Sequence, residues 1–383
     1  MKEIVIPKRV KGILERLESN GYEAYIVGGC VRDLLLGASP TDWDITTSAT
    51  PKEICESFKD FKLLTEGERF GTIGVADAKG MLVYEITTFR TEEDYLDGRH
   101  PGKVSFAGRI DDDLSRRDFT VNGMAFSEKT GLIDLFGGKG DLEAGIIKAI
   151  GNPKKRFKED GLRIIRAMRF AAELGFCIEN EAESAIYDLK DRAKCVAKER
   201  LSSEFEKLFL GSFAEEILNR YSDVLKYILG VDYRNDVRLN HLPRHSSVRI
   251  AALMPGDFSD LKLRKRTLES AKKIYKARSD IYLYGGNLSD NGIKTVMKNY
   301  GYEVTKDAML LAEGDVRAVD RIENSGECYR LDQLEITGRD LYGLSGREIG
   351  EALDFLLDLV ICGKIKNDRK ELVKYASAHF VKH

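Results

Sequence analysis

Apolar residues three or four apart (Val10, Ile13, Leu14, Leu17) predict an amphipathic helix within residues 1–20, ended by Gly21. The run Ala24-Tyr25-Ile26-Val27 predicts a buried strand that leads into Gly28-Gly29. A short helix over Val31 to Leu36, closed by Gly37, is expected next. A second strand over Trp43 to Thr47 and a helix over 51–59 follow, with Pro51 in the helix's first turn. Gly71 to Ala76 and Leu82 to Phe89 predict two more strands, joined by a turn at Lys79-Gly80. The texture changes after Asn152-Pro153. Ile164, Ile165, Met168, Phe170 and Ala171 recur at helical spacing, as do Leu201, Phe205, Leu208 and Phe209, and then Ile349, Leu353, Leu356, Leu357 and Val360. Strands are hard to find there. The fold class is therefore α+β, with a mixed α/β head over residues 1–150 and an all-helical remainder.

Length and composition narrow this further. A chain of 383 residues is too long for one ordinary core, so two to four subdomains are expected. Hydrophobic residues make up 43% and charged residues 32%, as in a soluble globular protein. No stretch approaches ~20 uncharged apolar residues, so no membrane span is expected. The N-terminus is charged throughout and lacks a secretory signal's apolar core. The six cysteines form no CxxC pair, which predicts reduced, mostly buried thiols, a cytoplasmic setting and no metal cluster. The formal charge of −2 means that a nucleic-acid partner must be held by a local basic surface. Candidate surfaces are Lys262, Arg264, Lys265 and Arg266, then Lys272, Lys273, Lys276 and Arg278, and Lys364, Lys366, Arg369, Lys370 and Lys374.

The first residues that carry chemistry lie at Gly28-Gly29-Cys30-Val31-Arg32-Asp33, followed by Asp42-Trp43-Asp44. Two glycines after a strand let backbone approach a phosphate chain, and amides at the following helix start face the anion. Arg32 stands where a guanidinium can reach the same phosphates. On a strand, Asp42 and Asp44 point to one face and repel unless a cation sits between them. Hard divalent ions such as Mg²⁺ favour such oxygen ligands, and two-metal phosphoryl transfer uses shared carboxylates. The pattern GGCVRDLLLG…TDWDITTSATP resembles motif A of the DNA polymerase beta-like nucleotidyltransferases. More narrowly, it resembles the class II tRNA nucleotidyltransferases (CCA-adding enzymes) and bacterial poly(A) polymerases. Glu85 reads either as a further metal-site carboxylate or as a salt-bridge partner of Arg90 or Arg32, and stays outside the metal set.

Further segments extend the resemblance. Ser115-Arg116-Arg117-Asp118-Phe119-Thr120-Val121-Asn122-Gly123 is similar to motif B, with Gly123 where alanine is usual. Arg116 and Arg117 would neutralise triphosphate or hold ribose, Asp118 would orient one of them, and Asn122 would hydrogen-bond sugar or backbone. Residues 91–101 resemble the family's flexible loop, whose presence argues against a CC-only enzyme. His100, within it, is given no proton-transfer role. Glu159-Asp160-Gly161-Leu162-Arg163-Ile164-Ile165-Arg166-Ala167-Met168-Arg169-Phe170 resembles motif D. Asp160, Arg163, Arg166 and Arg169 recur every third residue, which predicts a ridge along one helix.

The chemistry of that ridge follows from the bases. Cytosine and adenine each present an amino donor beside a ring-nitrogen acceptor. An aspartate accepts from the first and an arginine donates to the second. Uracil and guanine reverse the pattern, and each mismatched buried contact costs ~1–3 kcal/mol. Two mismatches give discrimination of ~10⁴-fold. Asp160 and Arg163 would thus act as a protein template for C and A, with Arg166 and Arg169 in support. Ala197 to Leu208 resembles motif E, with Glu199 and Arg200 read as structural, and Leu334 to Asn367 is similar to the family's C-terminal tail.

The resemblance implies a nucleotidyltransferase head (1–150), a neck bearing the base reader (151–210), a body (211–290) and a tRNA-binding tail (291–383). It implies CCA addition to tRNA from CTP and ATP, with nucleotide held by Gly29, Arg32 and the motif B arginines and Mg²⁺ held by Asp42 and Asp44. A-adding, CC-adding and poly(A) specialists of the same family are the alternatives. A non-catalytic RNA-binding protein is a remoter one. No His-Asp dyad occurs, which disfavours an appended phosphohydrolase domain. The oligomeric state is left open.

Overall fold

The computed structural model describes residues 4–76, 83–95, 101–254, 256, 260–285 and 288–380. The chain divides into two compact units, Met1–Val231 and Asp232–His383.

The first unit opens with helix α1 (Lys8–Ser19), which buries Val10, Ile13, Leu14 and Leu17. Strands β1 (Ala24–Val27), β2 (Asp44–Thr47), β3 (Lys62–Leu64), β4 (Thr72–Ala76) and β5 (Val83–Thr88) follow. Helix α2 (Gly29–Leu35) lies between β1 and β2, and α3 (Pro51–Ser57) lies between β2 and β3. A capping box of Thr50 with Glu53, and Pro51 in the first turn, start α3 where the sequence places it. A hairpin of β6 (Arg90–Tyr95) and β7 (Pro101–Phe106) comes next, then α4 (Ile110–Ser115), β8 (Met124–Ser127) and β9 (Gly131–Asp134). Seven strands form one sheet in the order β3-β4-β5-β2-β1-β8-β9. Within it β2 runs parallel to β5, so Asp44 faces Glu85 and Thr46 faces Thr87. Alternation along β2 sends Asp44 and Thr46 to one face and Ile45 to the other. Tyr25, the register partner of Thr46, packs on that first face with Val27, Phe89, Ile110, Leu114 and Ala125.

Residues 91–101 differ from the expected loop. Their described part is β-paired, with Arg90 opposite Phe106 and Tyr95 opposite Pro101. Strands β8 and β9 were not expected, because four-residue strands around a Thr130-Gly131 turn give too short a pattern to read. The expected turn at Lys79-Gly80, the strand start at Leu82, and His100 lie outside the described residues.

The unit continues through α5 (Gly138–Ala144), β10 (Ile146–Ile147), α6 (Pro153–Glu159), α7 (Leu162–Leu174) and β11 (Cys177–Ile178), which pairs in parallel with β10. Helices α8 (Asn180–Lys194), α9 (Lys198–Leu210), α10 (Ala214–Arg220) and α11 (Ser222–Leu229) complete it. The second unit is helical: α12 (Ser246–Leu253), α13 (Lys265–Leu283), α14 (Asp290–Tyr300), α15 (Tyr302–Leu311), α16 (Val316–Ser325), α17 (Arg347–Ile361) and α18 (Arg369–His379). Helix α13 buries Ala271, Ile274, Ala277 and Ile281 at three- and four-residue spacing and leaves Lys272, Lys273 and Lys276 exposed.

All six cysteines are free, but only Cys30 is buried, while Cys177, Cys195 and Cys362 are exposed. The expectation of mostly buried thiols is therefore corrected. No helix among the described residues is long and apolar enough to cross a membrane.

Candidate active site

Asp42 and Asp44 are exposed, but only Asp44 is on the strand: it is the first residue of β2, and Asp42 lies in the bend before it, which corrects the expectation of two aspartates alternating along one strand. With Thr41, Trp43, Tyr84 and Glu85 they line a cavity of about 740 Å³. The arginines around them are engaged elsewhere: Arg32 pairs with Asp33 at 2.7 Å, and Arg116 and Arg117 pair with Asp113 at 2.8 and 3.0 Å. Desolvation pushes the Asp44 carboxyl above its usual range, and neighbouring Asp42 adds to this while Arg117 opposes it. Two neighbouring oxygen-only side chains, with Glu85 in register beside Asp44, fit a hard divalent cation. Glu85 makes no described ion pair with Arg90 or Arg32. No cluster of three or more His, Cys, Asp or Glu suited to a metal is found among the described residues.

Of the two glycines, Gly28 is the more constrained. Gly28 has φ +79°, and a Cβ there would sit 3.1 Å from Arg117 Nη1 and 3.8 Å from Asp44 Oδ2. The left-handed conformation and this crowding both require glycine. Gly29 starts α2, and a Cβ there would make ordinary contact with Arg32 Nη2 at 3.6 Å. Arg32 is buried, donating to Asn122 Oδ1 at 2.8 Å and Asp33 Oδ1 at 2.9 and 2.7 Å. Gly123, in motif B, leaves room that Ile150 fills: its Cδ1 lies 2.6 Å from where a methyl would stand.

The structure corrects the role given to Asp118. It pairs not with Arg116 or Arg117 but with Arg166, which donates to Asp118 Oδ2 at 2.8 and 2.6 Å. The motif B arginines are oriented by Asp113 instead. That carboxylate is fully buried and also receives a long hydrogen bond from Thr46 on the catalytic strand, at 3.5 Å. Desolvation works to raise its pKa, but the flanking Arg117 and Arg116 outweigh it and hold the group below the usual carboxylate range. The spacing Asp113-x-x-Arg116-Arg117 on α4 was a readable signal for this contact.

From Asp118 the buried polar groups form a chain. Phe119 N donates to Asp118 Oδ1 at 2.8 Å. Arg166 also reaches Glu204 Oε1 at 3.4 Å, and Arg169 Nε lies 2.7 Å from Glu204 Oε2. Phe170 sits under Arg32, Arg166 and Arg169, whose guanidinium carbons lie 5.5, 5.3 and 3.8 Å from its ring centroid. Burial alone would raise the Asp118 pKa, yet Arg166 and Arg163 hold it down to about 2. Glu204, on α9, was not named as a site residue. Its partners are 38 and 35 positions away, beyond any local spacing rule.

The base-reading segment is not one helix. Asp160 follows the last residue of α6, and α7 begins only at Leu162. Asp160 Oδ1 accepts from Leu162 N at 3.0 Å, and Oδ2 accepts from Arg200 Nη2 at 3.2 Å. The break is at Asp160, whose backbone is extended (φ −139°, ψ 108°), and the next position must be glycine, because a Cβ at 161 would lie 2.3 Å from the Arg192 carbonyl oxygen. Arg163 is buried on α7 and donates to Glu159 Oε2 at 2.9 Å and to the carbonyls of Arg156 and Arg116 at 3.2 and 3.0 Å. A guanidinium has five N–H donors, so two remain for another acceptor.

The family relationships agree with this geometry. Residues 24–148 match the Poly A polymerase head domain, and residues 175–228 match a probable RNA and SrmB-binding site of polymerase A. The CCA-adding enzyme of Leuconostoc mesenteroides is 33% identical, covering 96% of this chain and 95% of that one. That of Ligilactobacillus salivarius is 34% identical, covering 96% of each. The Bacillus stearothermophilus CCA-adding enzyme, solved in complex with CTP, superposes with a TM-score of 0.82 at 28% identity over 98% of both chains. A Thermotoga maritima enzyme solved with tRNA shares the fold at a TM-score of 0.70 and 22% identity, covering 99% of this chain and 97% of that one. Shared residues along nearly the whole length, over a head that carries paired aspartates and arginines on the expected strand and loop, make this chain a member of the CCA-adding enzyme family of nucleotidyltransferases.

Proposed function

We propose that the protein adds C, C and A to the 3′ end of tRNA from CTP and ATP, with Mg²⁺ held by Asp42 and Asp44. The observation that carries this is the convergence at Gly28, where Arg117, Asp44 and the Asn122 carbonyl approach one point across a glycine whose positive φ disfavours other residues. Mg²⁺, when bound there, lowers the pKa of the attacking hydroxyl and neutralises charge on the triphosphate.

The chain's own groups do the rest. Gly28 admits the triphosphate to the backbone, and Arg116 and Arg117 meet its charge from positions fixed by Asp113. Arg32 holds the side-chain oxygen of Asn122, whose amide nitrogen gives one hydrogen to Asp118 Oδ1 at 3.5 Å and keeps the other for sugar or backbone. Asp160 accepts from the exocyclic amino group of cytosine or adenine, and Arg163 donates to the ring nitrogen through its remaining N–H groups. Arg166 and Arg169 act in support, locked to Asp118 and Glu204. In this reading residues 1–150 are the catalytic head, 151–210 the neck, 211–290 the body and 291–383 a tail that grips tRNA.

The test uses Mg²⁺, labelled nucleotides and three tRNAs ending before CCA, after C and after CC. Growth of all three to one CCA end is the expected result. Extension of the CC-ended tRNA alone, or unlimited A addition, would move the protein to a specialist branch. No extension at all would sink the enzymatic reading.

A further inference from the structure

The second unit contains a cavity of about 660 Å³ that none of the motifs above uses. Arg234, Arg238, His241, Arg278, Leu310 and Glu313 are among its lining residues. Arg234 is committed to Asp236 through two hydrogen bonds of 3.0 and 2.7 Å, so that pair is self-neutralised. The side chains of Arg238, His241 and Glu313 make no hydrogen bond or ion pair among the described residues. Arg278 Nε is buried with no partner there, and Nη2 reaches only the Tyr282 hydroxyl at 3.3 Å. The Arg278 guanidinium also lies 5.3 Å from the Tyr282 ring centroid, on a helix end where Tyr282, Leu283 and Tyr284 are exposed.

Glu313 adds an independent observation. With φ +56°, it is the one described non-glycine residue in the left-handed region. The chain there accepts strain that glycine would remove, and puts a carboxylate at the cavity rim. This left-handed residue closes α15: Glu313 N donates to the Leu310 carbonyl at 3.2 Å and Gly314 N to the Met309 carbonyl at 2.9 Å, and this helix end fixes where the carboxylate stands.

We infer that this cavity receives one unpaired nucleotide of the RNA substrate, an inference that rests on the tRNA reading above. Arg238, Arg278 and His241 supply donors for a phosphate. The Glu313 carboxylate accepts from a ribose hydroxyl, the group that separates RNA from DNA. Tyr282, backed by Arg278, offers a face on which a base stacks. An acidic peptide would satisfy the arginines but would bring its own carboxylates against Glu313.

The test measures binding of labelled tRNA lacking CCA to the full-length protein, across a salt series, without nucleotide addition. Wild type is compared with the Arg238→Ala/Arg278→Ala double variant and with Glu313→Gly. The double variant is expected to weaken binding about 10-fold and to lower the salt slope by about two, one for each lost phosphate contact. Glu313→Gly is expected to raise the melting temperature, because glycine adopts this φ freely, while it weakens RNA binding and narrows the preference for ribose over a 2′-deoxy-substituted tRNA. A purely structural Glu313 would give the first change without the second, and that result overturns the inference. So does an unchanged affinity and salt slope in the double variant. CTP and inorganic phosphate are titrated separately; a CTP equivalent lost in the double variant with tRNA binding intact would assign the cavity to free nucleotide and overturn it too. Failure of the wild type to add CCA would count against the catalytic reading alone, because this readout requires no chemistry.

Discussion

The site of the first unit and the α13 face of the second place their basic side chains differently. In the first, Arg32, Arg116, Arg117, Arg163, Arg166 and Arg169 are mostly buried, and each is tied to a carboxylate of its own unit. In the second, Lys265, Lys272, Lys273 and Lys276 stand on the open face of α13, and Arg238 sits beside a cavity without a described partner. A buried charge network costs desolvation and returns fixed geometry. An exposed basic face gives little stability but attracts phosphate at long range. On the proposed function, the difference separates a place where triphosphate and base are positioned from surfaces where a large RNA only has to be held.

The largest expected effect comes from breaking the one part of the first unit that is not neutralised. Asp44→Ala is expected to reduce nucleotide incorporation by at least ~10³-fold, comparable to removing a main electrostatic element of a transition state. The fold should persist, because Asp44 is exposed and makes no described ion pair. Single-turnover incorporation with excess enzyme reads this; full incorporation by the variant would remove the metal assignment.

Asp118→Asn tests the buried network itself. It leaves Arg166 with half its pairing in a site closed to water, and is expected to destabilise the first unit by ~3 kcal/mol. Trp43 is the only tryptophan of the chain, so its fluorescence in a urea titration reports on that unit alone. A pH dependence follows with a definite sign. The folded-state pKa of Asp118, about 2, lies below the ordinary 3.8. Its stabilisation is therefore fully present above roughly pH 4 and is lost as the pH falls toward 2. The variant's unfolding midpoint should show a shallower decline over that window than the wild type's. Parallel curves would mean that the ion pair contributes nothing.

Two smaller effects separate positioning from base choice. Asp160→Ala is expected to relax discrimination of C and A against U and G by ~10²-fold, one charged contact's worth, measured by misincorporation on a CC-ended tRNA. Asp113→Asn is expected to raise KM for CTP and ATP alike by ~10-fold, about 1.4 kcal/mol, because it frees Arg116 and Arg117 without touching the base. Equal base selectivity in the Asp113 variant and altered selectivity in the Asp160 variant would sharpen the division; the reverse pattern would exchange the two roles.

Much of this site was legible because its chemistry is local in sequence. Asp42 and Asp44 declare themselves as a close pair, although only Asp44 is on the strand, and the glycines, the RRD triplet and the arginine run each stand within a dozen residues. What could not be read is what folding alone decides. The every-third-residue ridge suggested one helix from Asp160, but Asp160 takes an extended backbone between α6 and α7, its carboxylate held by Leu162 N and Arg200. Asp118 looked like the partner of its neighbours, yet a fully buried Asp113 had already satisfied them, so Asp118 turned to Arg166, 48 residues on. Glu204 lies inside the motif E segment, but its partners on α7 are 35 and 38 residues away and are set only by the packing of α9 against α7. The β8–β9 pair escaped because four residues are too few for periodicity to show.

The smallest effect closes the comparison from the other side. Lys265 on α13 has a side chain 91% exposed, and its contact with Glu269 is a loose 3.8 Å pair one helical turn away. Such a pair holds two long side chains in open water, where side-chain entropy and salt offset most of the attraction. Lys265→Ala should therefore shift stability by less than ~0.5 kcal/mol. If the open face of α13 meets RNA, the same substitution should still weaken tRNA binding by ~2- to 3-fold at low salt, and the effect should vanish at high salt as screening removes the long-range attraction. A stability loss as large as that of Asp118→Asn would mean that this unit also depends on fixed ion pairs. Unchanged affinity at low salt would move the RNA-holding surface off α13's open face, leaving the cavity beside Arg238 and the C-terminal lysines to account for it.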